Sequence, residues 1–123
     1  MKRIEAIIRP EKLLEVKAAL ESLGYGGMTV TEVKGHGTQR GVLEQWQGQE
    51  FWIEFLPKIW FLVVVDDEDA DAVIDCICDN AATGEAGDGK IFVSTVDEVI
   101  RVRTRERGKA ALVGGEPVVP AGS

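Results

Sequence analysis

Apolar and polar residues follow two regular spacings through the first third of the chain. Ile4, Ala6 and Ile8 alternate with other residues in an isoleucine-rich run, which predicts a first strand. Over residues 13–23, leucine and valine recur at steps of three and four, the spacing of one helical face. The β-branched run at 28–34 then predicts a second strand.

The second half of the chain repeats this order. Residues 59–65 are all apolar, which predicts a strand buried on both faces. Helical spacing over 70–81 and an apolar β-prone run over 91–96 predict a second helix and a fourth strand. The resulting order, β-α-β-β-α-β, predicts an α+β, ferredoxin-like fold with both helices on one face of a four-stranded antiparallel sheet. Because the other face also needs cover, we expect the chain to form an oligomer.

The segment from 35 to 54 interrupts this regular pattern. It is polar and glycine-rich, yet it carries Trp46, Phe51 and Trp52. Long polar loops with aromatic residues are often functional, so we interpret 37–54 as a partner-binding loop. The alternative is a β-hairpin with a cross-strand aromatic pair.

A glycine-rich stretch, Thr-Gly-Glu-Ala-Gly-Asp-Gly-Lys at 83–90, precedes the fourth strand. Glycine accepts positive φ, so such a loop can turn several backbone N–H groups toward one ligand. The terminal lysine adds a charge suited to phosphate. The stretch matches neither a P-loop nor a dinucleotide-binding motif, so an ordinary turn is the alternative.

Two arginines form a second candidate site near the end of the chain. Arg101 and Arg103 alternate with apolar residues, and on an extended segment this spacing places both guanidinium groups on one side. Such a pair predicts an anion clamp. The alternative is a pair of solvated arginines beside Asp97, Glu98 and Glu106.

Length and charge limit the class of protein. The 123 residues suit one domain, expected over 1–112, with a loose glycine- and proline-containing tail over 113–123. A net charge of −7 should repel nucleic acids. No apolar run approaches the roughly 20 residues of a membrane span, and no signal-peptide core follows the N-terminus. We therefore expect a cytoplasmic protein without membrane insertion.

Residue types that can bind metals have simpler interpretations here. Cys76 and Cys78 are two apart on a predicted helix and point in different directions, so we interpret them as small buried side chains. The acidic run at 66–69 suits a helix start. His36 is the sole histidine, which excludes a three-histidine metal site.

Five stretches, in this order and spacing, resemble the PII nitrogen-regulatory signal-transduction proteins. The resemblance spans nearly all of residues 1–112. It is carried by KRIEAIIRP at 2–10, GMTVTEVKG at 27–35, FLPK at 55–58, TGEAGDGKIFV at 83–93 and IRVRTRERG at 100–108.

The resemblance implies a ferredoxin-like homotrimer that binds ATP or ADP between subunits. It also implies binding of 2-oxoglutarate together with Mg-ATP, and control of an ammonium transporter or a nitrogen-assimilation enzyme through 37–54. The matching nucleotide-binding positions are Thr29, Gly35, Gly37, Thr38, Val64, Gly87, Asp88, Gly89, Lys90, Arg101 and Arg103. The 2-oxoglutarate positions are Gln39, Gly41 and Lys58, with Gln39 also contacting the metal, and the partner loop presents Trp46, Phe51 and Trp52.

The chain departs from the family pattern at several of these positions. Thr38 replaces a basic residue that is frequent in bacterial members, and Leu62 replaces a glutamate, which leaves the preference between ATP and ADP open. Phe51 lacks the hydroxyl that is modified in many members, so tyrosine modification is not expected there. No nucleophile–base pair is visible, and we expect a regulator and not an enzyme. The alternatives are a diverged sensor of another adenine nucleotide or small anion, and a small nucleotide-hydrolysing enzyme.

Overall fold

The computed structural model describes residues 1–36 and 55–112 in full, and two further strands, 42–46 and 49–53, through their backbone pairing. Residues 37–41, 47–48, 54 and 113–123 lie outside the described part. The strands are β1 (Lys2–Ile8), β2 (Thr29–Gly35), β3 (Val42–Trp46), β4 (Gln49–Ile53), β5 (Leu56–Val65) and β6 (Gly89–Thr95). The helices are α1 (Leu13–Ser22), α2 (Ala70–Ala81) and α3 (Lys109–Leu112).

Four strands form one antiparallel sheet in the order β2-β5-β1-β6. In β1, Ile7 lies opposite Trp60 of β5 and Lys90 of β6, and Trp60 lies opposite Thr31 of β2. The β-α-β-β-α-β order and the ferredoxin-like fold are therefore confirmed, with a β3–β4 hairpin inserted between β2 and β5.

The core lies between the sheet and the two long helices. Alternate residues of β1 and β5 are buried because successive side chains of a strand point to opposite faces. They pack with the apolar stripes of α1 and α2. Phe61 is the largest fully buried side chain. Its neighbours in the core include Ile4, Ala6, Ile8, Val16, Leu20, Val63, Val73 and Ile77.

The prediction that the apolar strand is buried on both faces is wrong within a single chain. Strand β5 begins at Leu56, and its residues 59, 61, 63 and 65 are buried while Trp60, Leu62 and Val64 are only half-buried. These three share the face of the sheet opposite α1 and α2 with Glu5, Ile7 and Phe92, because directly opposed residues of antiparallel strands lie on the same face. We call this side the bare face.

The segment interpreted as a partner-binding loop contains regular structure. Strands β3 and β4 pair antiparallel, so the hairpin alternative is correct. Its aromatic pair is not, because no aromatic residue lies opposite another in the register. Trp46 pairs with Gln49, Phe51 with Glu44 and Trp52 with Leu43.

Both long helices have defined ends. After α1, Gly24 adopts a φ of 93°, and the Tyr25 N–H donates to the Leu20 carbonyl at 2.9 Å, which closes the helix in a Schellman-type turn. Before α2, the Asp66 carboxylate accepts a hydrogen bond of 2.9 Å from the Asp67 N–H. The acidic run thus caps the short 3-10 helix at Asp67–Asp69 that leads into α2, whereas Asp69, directly before α2, makes no side-chain capping bond.

The two cysteines differ in environment. Both are free thiols, and Cys76 is half-buried. Cys78 is exposed, so its interpretation as a buried side chain was wrong. Among residues 1–36 and 55–112, no cluster of histidine, cysteine and acidic residues is arranged to hold a metal. No helix in that part of the chain is both long enough and apolar enough to cross a membrane.

The turn after α1 is tied to the start of α2 by a hydrogen bond from the Tyr25 hydroxyl to the Asp69 carboxylate. Burial first, and then this bond and the negative charges of Asp69 and Asp66, raise the pKa of Tyr25 to about 12. The native state therefore holds the tyrosine proton more tightly than the unfolded chain does.

We predict an alkaline loss of stability from this group. The contribution of Tyr25 is fully present below about pH 10, the ordinary tyrosine value, and disappears as the pH rises toward 12. Tyr25 is the only tyrosine of the chain, so ultraviolet absorbance of tyrosinate reports on it alone. Its midpoint should lie near pH 12 in the native protein and near 10 in urea. An Asp69→Asn variant should titrate at lower pH than the parent, and a native midpoint near 10 would contradict the assignment.

Candidate functional site

The glycine-rich loop, residues 83–89, is organised around one carboxylate. Asp88 accepts hydrogen bonds from the Thr83 N–H at 2.8 Å, from the Gly84 N–H at 2.9 Å and from the Thr83 hydroxyl. The Arg9 Nε donates to it at 3.1 Å. The Thr83 hydroxyl and N–H are the main reasons that the pKa of Asp88 lies well below its usual range, and Arg9 and the Gly84 N–H add to the effect. The carboxylate thus stays ionised and serves the loop itself.

Two cations fasten the loop to the sheet. The Arg9 Nη2, at the end of β1, donates to the Ala86 carbonyl at 2.8 Å. The Lys58 Nζ, on β5, donates to the Gly87 carbonyl, also at 2.8 Å. Burial lowers the pKa of Lys58, and the positive charge of Arg9 lowers it further. An anionic group brought to this lysine would raise its pKa and so oppose both effects.

The loop ends where Gly89 enters β6. A Cβ placed on Gly89 would lie 1.7 Å from the Ile7 carbonyl oxygen, and the residue has a φ of 111°. Only glycine fits such a close backbone approach with positive φ. The next residue, Lys90, is exposed, and within the described part of the chain its ammonium group makes no hydrogen bond or ion pair. Gly89 therefore fixes the position from which the Lys90 ammonium reaches solvent.

Thr29 and Val64, the predicted adenine positions, are neighbours on the bare face. Thr29 lies opposite Leu62, two residues along β5 from Val64. Lys90 lies on the opposite edge strand of the sheet, three strand spacings or about 14 Å away across it. The structure brings Thr29 and Val64 together, but it does not bring them to Lys90.

The arginine segment is not extended, so the geometric argument for an anion clamp was wrong. Residues 102–104 form a turn. The Arg101 Nη1 donates to the Glu106 Oε1 at 3.0 Å, and its Nη2 donates to the Ala110 carbonyl at 3.0 Å. Arg103 is exposed. Arg101 is thus half-buried and bonded, so it does not fit the solvated alternative, whereas the exposed Arg103 does. The roles of both arginines in ligand binding remain predictions.

Residues 99–108, which we call the arginine hairpin, are closed by backbone contacts. The Gly108 N–H donates to the Val99 carbonyl and the Arg101 N–H to the Glu106 carbonyl, each at 2.9 Å. The hairpin follows β6 at the end of the sheet where Lys2 meets Val65. Lys109, just after it, bonds Asp66 at 2.9 Å. The glycine-rich loop leaves the opposite end of the sheet, about 20 Å away along β1.

The ends of the 37–54 segment meet beside the loop. The rings of His36 and Phe55 lie 5.7 Å apart, and Gly35 pairs with Leu56. A Cβ on Gly35 would approach the Lys58 Cγ to 3.1 Å. The predicted positions Gly37, Thr38, Gln39 and Gly41 lie outside the described residues, as do the side chains of Trp46, Phe51 and Trp52. The segment nevertheless starts and finishes next to Lys58.

Sequence reasoning missed the structural roles of Arg9 and Thr83. Arg9 contacts Asp88, which is 79 residues away in the chain. No local pattern marks such a pair. The signal that could have found it is an arginine at the end of a strand, because antiparallel pairing of β1 with β6 places that end beside the loop before β6.

Comparison with known proteins decides the family. The sequence model described as nitrogen regulatory protein P-II matches residues 1–106. Nitrogen regulatory protein P-II 2 of Methanothermobacter thermautotrophicus is 57% identical over 112 residues, which is 91% of this chain and 97% of that protein. The P-II proteins of Rhizobium meliloti and Nostoc punctiforme are 56% and 54% identical, each over 91% of this chain and their full length.

The chain belongs to the P-II family of nitrogen regulatory proteins. The resemblance carried by the five sequence stretches is thereby confirmed. The P-II match includes the glycine-rich loop and most of the arginine hairpin. It assigns the chain to nitrogen regulation and signal transduction.

Gly89 and Gly84 provide a matched pair of substitutions. Both have positive φ, 111° and 88°, but a Cβ on Gly84 meets nothing within 4 Å. Gly84→Ala should therefore lose only about 1 kcal/mol of unfolding free energy, the strain of a left-handed residue. Gly89→Ala adds a backbone clash and should lose more than about 3 kcal/mol. Urea unfolding measures both, and equal losses would show that the close approach to Ile7 is not what requires glycine.

Proposed function

We propose that this P-II protein senses ATP and ADP, together with Mg²⁺ and 2-oxoglutarate, at sites between the subunits of a homotrimer. It controls an ammonium transporter or a nitrogen-assimilation enzyme through residues 37–54. It acts in the cytoplasm and does so by binding, not by catalysis.

The observation that carries this proposal is the separation of the cationic elements. Lys90 and the arginine hairpin lie at opposite ends of one sheet, about 20 Å apart, which is too far for one phosphate chain to contact both. A neighbouring copy can supply its hairpin to the first copy's loop. The apolar bare face, with Trp60, Leu62 and Val64 half-buried, supports association of copies.

The loop suits a phosphate group. Asp88 is neutralised by Arg9 and by three donors from Thr83 and Gly84, so its charge does not oppose an anion. Lys90 offers an unpaired ammonium beside it. When bound, Mg²⁺ would reduce the repulsion between the phosphate charges. The resemblance assigns its contact to Gln39, which lies outside the described residues.

Lys58 supports a link between 2-oxoglutarate and nucleotide. Its ammonium already holds the Gly87 carbonyl of the phosphate loop, so a carboxylate bound there would act on that contact. Two ligands that share one element affect each other's affinity reciprocally, typically by about 1–3 kcal/mol. The 37–54 segment begins and ends beside the same lysine. Ligand occupancy can therefore bias this segment between arrangements that partners distinguish.

Two residues favour a regulator that is not modified at position 51 and is not a catalyst. Phe51 has no hydroxyl to accept a nucleotidyl group. The Asp88 carboxylate, with its low pKa, is a weak general base despite its hydrogen bond to the Thr83 hydroxyl. The related proteins carry regulatory names. Phosphate release from ATP that disappears in a Lys90→Ala variant would favour the hydrolase alternative instead.

Calorimetric titration of the purified protein with Mg-ATP and Mg-ADP, each with and without 2-oxoglutarate, tests the proposal. We expect 2-oxoglutarate to bind only when Mg-ATP is present. Lys90→Ala should weaken nucleotide binding about tenfold or more, since it removes a charged contact. Lys17→Ala removes one charge from the exposed side of α1, where Lys17 pairs with Glu21, and should leave affinity unchanged.

Three outcomes would change or reject the proposed function. Binding of nucleotide without any effect of 2-oxoglutarate would favour the diverged sensor. Absence of nucleotide binding would reject the proposed function. Light scattering of the same samples should give the mass of three chains, and a monomer would remove the shared site.

A further inference from the structure

The charges of the arginine hairpin are unevenly balanced. In its stem, Arg101 pairs with Glu106, and Arg107 pairs with Glu98. Both carboxylates closest to the hairpin are thus engaged by stem residues. Asp97, which precedes the hairpin, makes no ion pair within the described residues. The stem is consequently close to neutral.

The tip of the hairpin keeps two unneutralised guanidinium groups. Arg103 and Arg105 are exposed, and within the described part of the chain neither guanidinium group makes a hydrogen bond or ion pair. Thr104, between them, is occupied by the turn, since its hydroxyl accepts from the Glu106 N–H at 3.2 Å. These two exposed cations lie on a short turn of a protein with a net charge of −7. They create a local site for an anion.

The backbone at Arg105 is held in a conformation that suits glycine better. Its φ is 62°, and within the described residues it is the only non-glycine residue with positive φ. The Arg105 N–H donates to the Arg101 carbonyl at 2.8 Å, which fixes this conformation. An L side chain is disfavoured there, and local strain of this kind is commonly retained where it serves binding.

We propose that Arg105 is a further contact residue for the triphosphate of the ligand, acting beside Arg103 from the hairpin of a neighbouring copy. This inference rests on the proposed function and deepens it by adding a residue to the same site. A guanidinium fork binds phosphate oxygens with two parallel hydrogen bonds, which glycine at this position cannot do. An arginine at position 105 therefore lowers the stability of the fold but strengthens the binding of the ligand.

Arg105→Gly should change stability and affinity in opposite directions. Relief of the left-handed strain should raise the melting temperature by about 2–4 °C. Loss of the guanidinium should weaken binding of ATP and of inorganic triphosphate about tenfold, equal to about 1.4 kcal/mol. Calorimetry on the full chain measures the affinities, and scanning calorimetry measures the melting temperature.

Two further variants separate charge from backbone freedom. Arg105→Asn keeps a side chain that tolerates positive φ but removes the charge, so it should weaken binding as much as Arg105→Gly does. Lys17→Ala removes a positive charge elsewhere and should bind like the parent. Weaker binding in Arg105→Gly but not in Arg105→Asn would make flexibility the cause and overturn the assignment. An equal loss in Lys17→Ala would make net charge the cause and overturn it also.

The two probes distinguish this inference from the proposed function. If the parent binds ATP, and Arg105→Gly binds each probe as tightly as the parent does, Arg105 is not a contact and the sensor function stands. If the parent binds inorganic triphosphate but not ATP, and Arg105→Gly loses that binding, the anion site stands and the nucleotide function fails. If the parent binds neither probe, both fail.

Discussion

The hydrogen bonds accepted by the Asp88 carboxylate are the constraint on which the candidate site depends. They draw both ends of the glycine-rich loop together and anchor it to Arg9 at the end of β1. Lys58 then connects the same loop to β5, the strand that follows the 37–54 segment. Asp88 through Arg9, and Gly87 through Lys58, thus link the glycine-rich loop to the two central strands of the sheet.

The two faces of the sheet carry different features. One face carries the helices and the buried core, and it accounts for the fold of a single chain. The bare face carries Thr29, Val64 and Lys90, together with the apolar side chains of β5. The predicted ligand contacts and the proposed association surface therefore share one side of the sheet. We therefore expect ligand binding and assembly to influence each other, because a ligand that binds only the assembled form also stabilises that form.

Long periodic segments allowed most of the fold to be predicted from the sequence. The two helices follow from a spacing of 3.6, and the four sheet strands follow from alternation or from apolar and β-branched runs. Their limits agree with the structure to within a few residues. The hairpin strands β3 and β4 were predicted only as an alternative, because glycines and polar residues conceal a period of two. At Arg101 and Arg103, a short alternation suggested an extended strand, but the backbone bond from Arg101 to Glu106 closes a turn instead.

The site was less predictable than the fold. Glycine content located the loop, and Gly89 has the close approach that makes glycine necessary. The partners of Asp88 and Lys58 depend on contacts between distant parts of the chain, which no local pattern contains. Whether Cys78 is exposed likewise depends on which side of α2 packs against the sheet.

The contact between His36 and Phe55 has a consequence for how this protein can diversify. The segment between them leaves and re-enters the body at two points held together by the pairing of Gly35 with Leu56. Its length can change with little thermodynamic penalty, since doubling a closed loop adds only about 0.6 kcal/mol of entropy. The sheet therefore keeps the two attachment points of this segment fixed, and segments of different length and sequence can connect them without a change in the sheet.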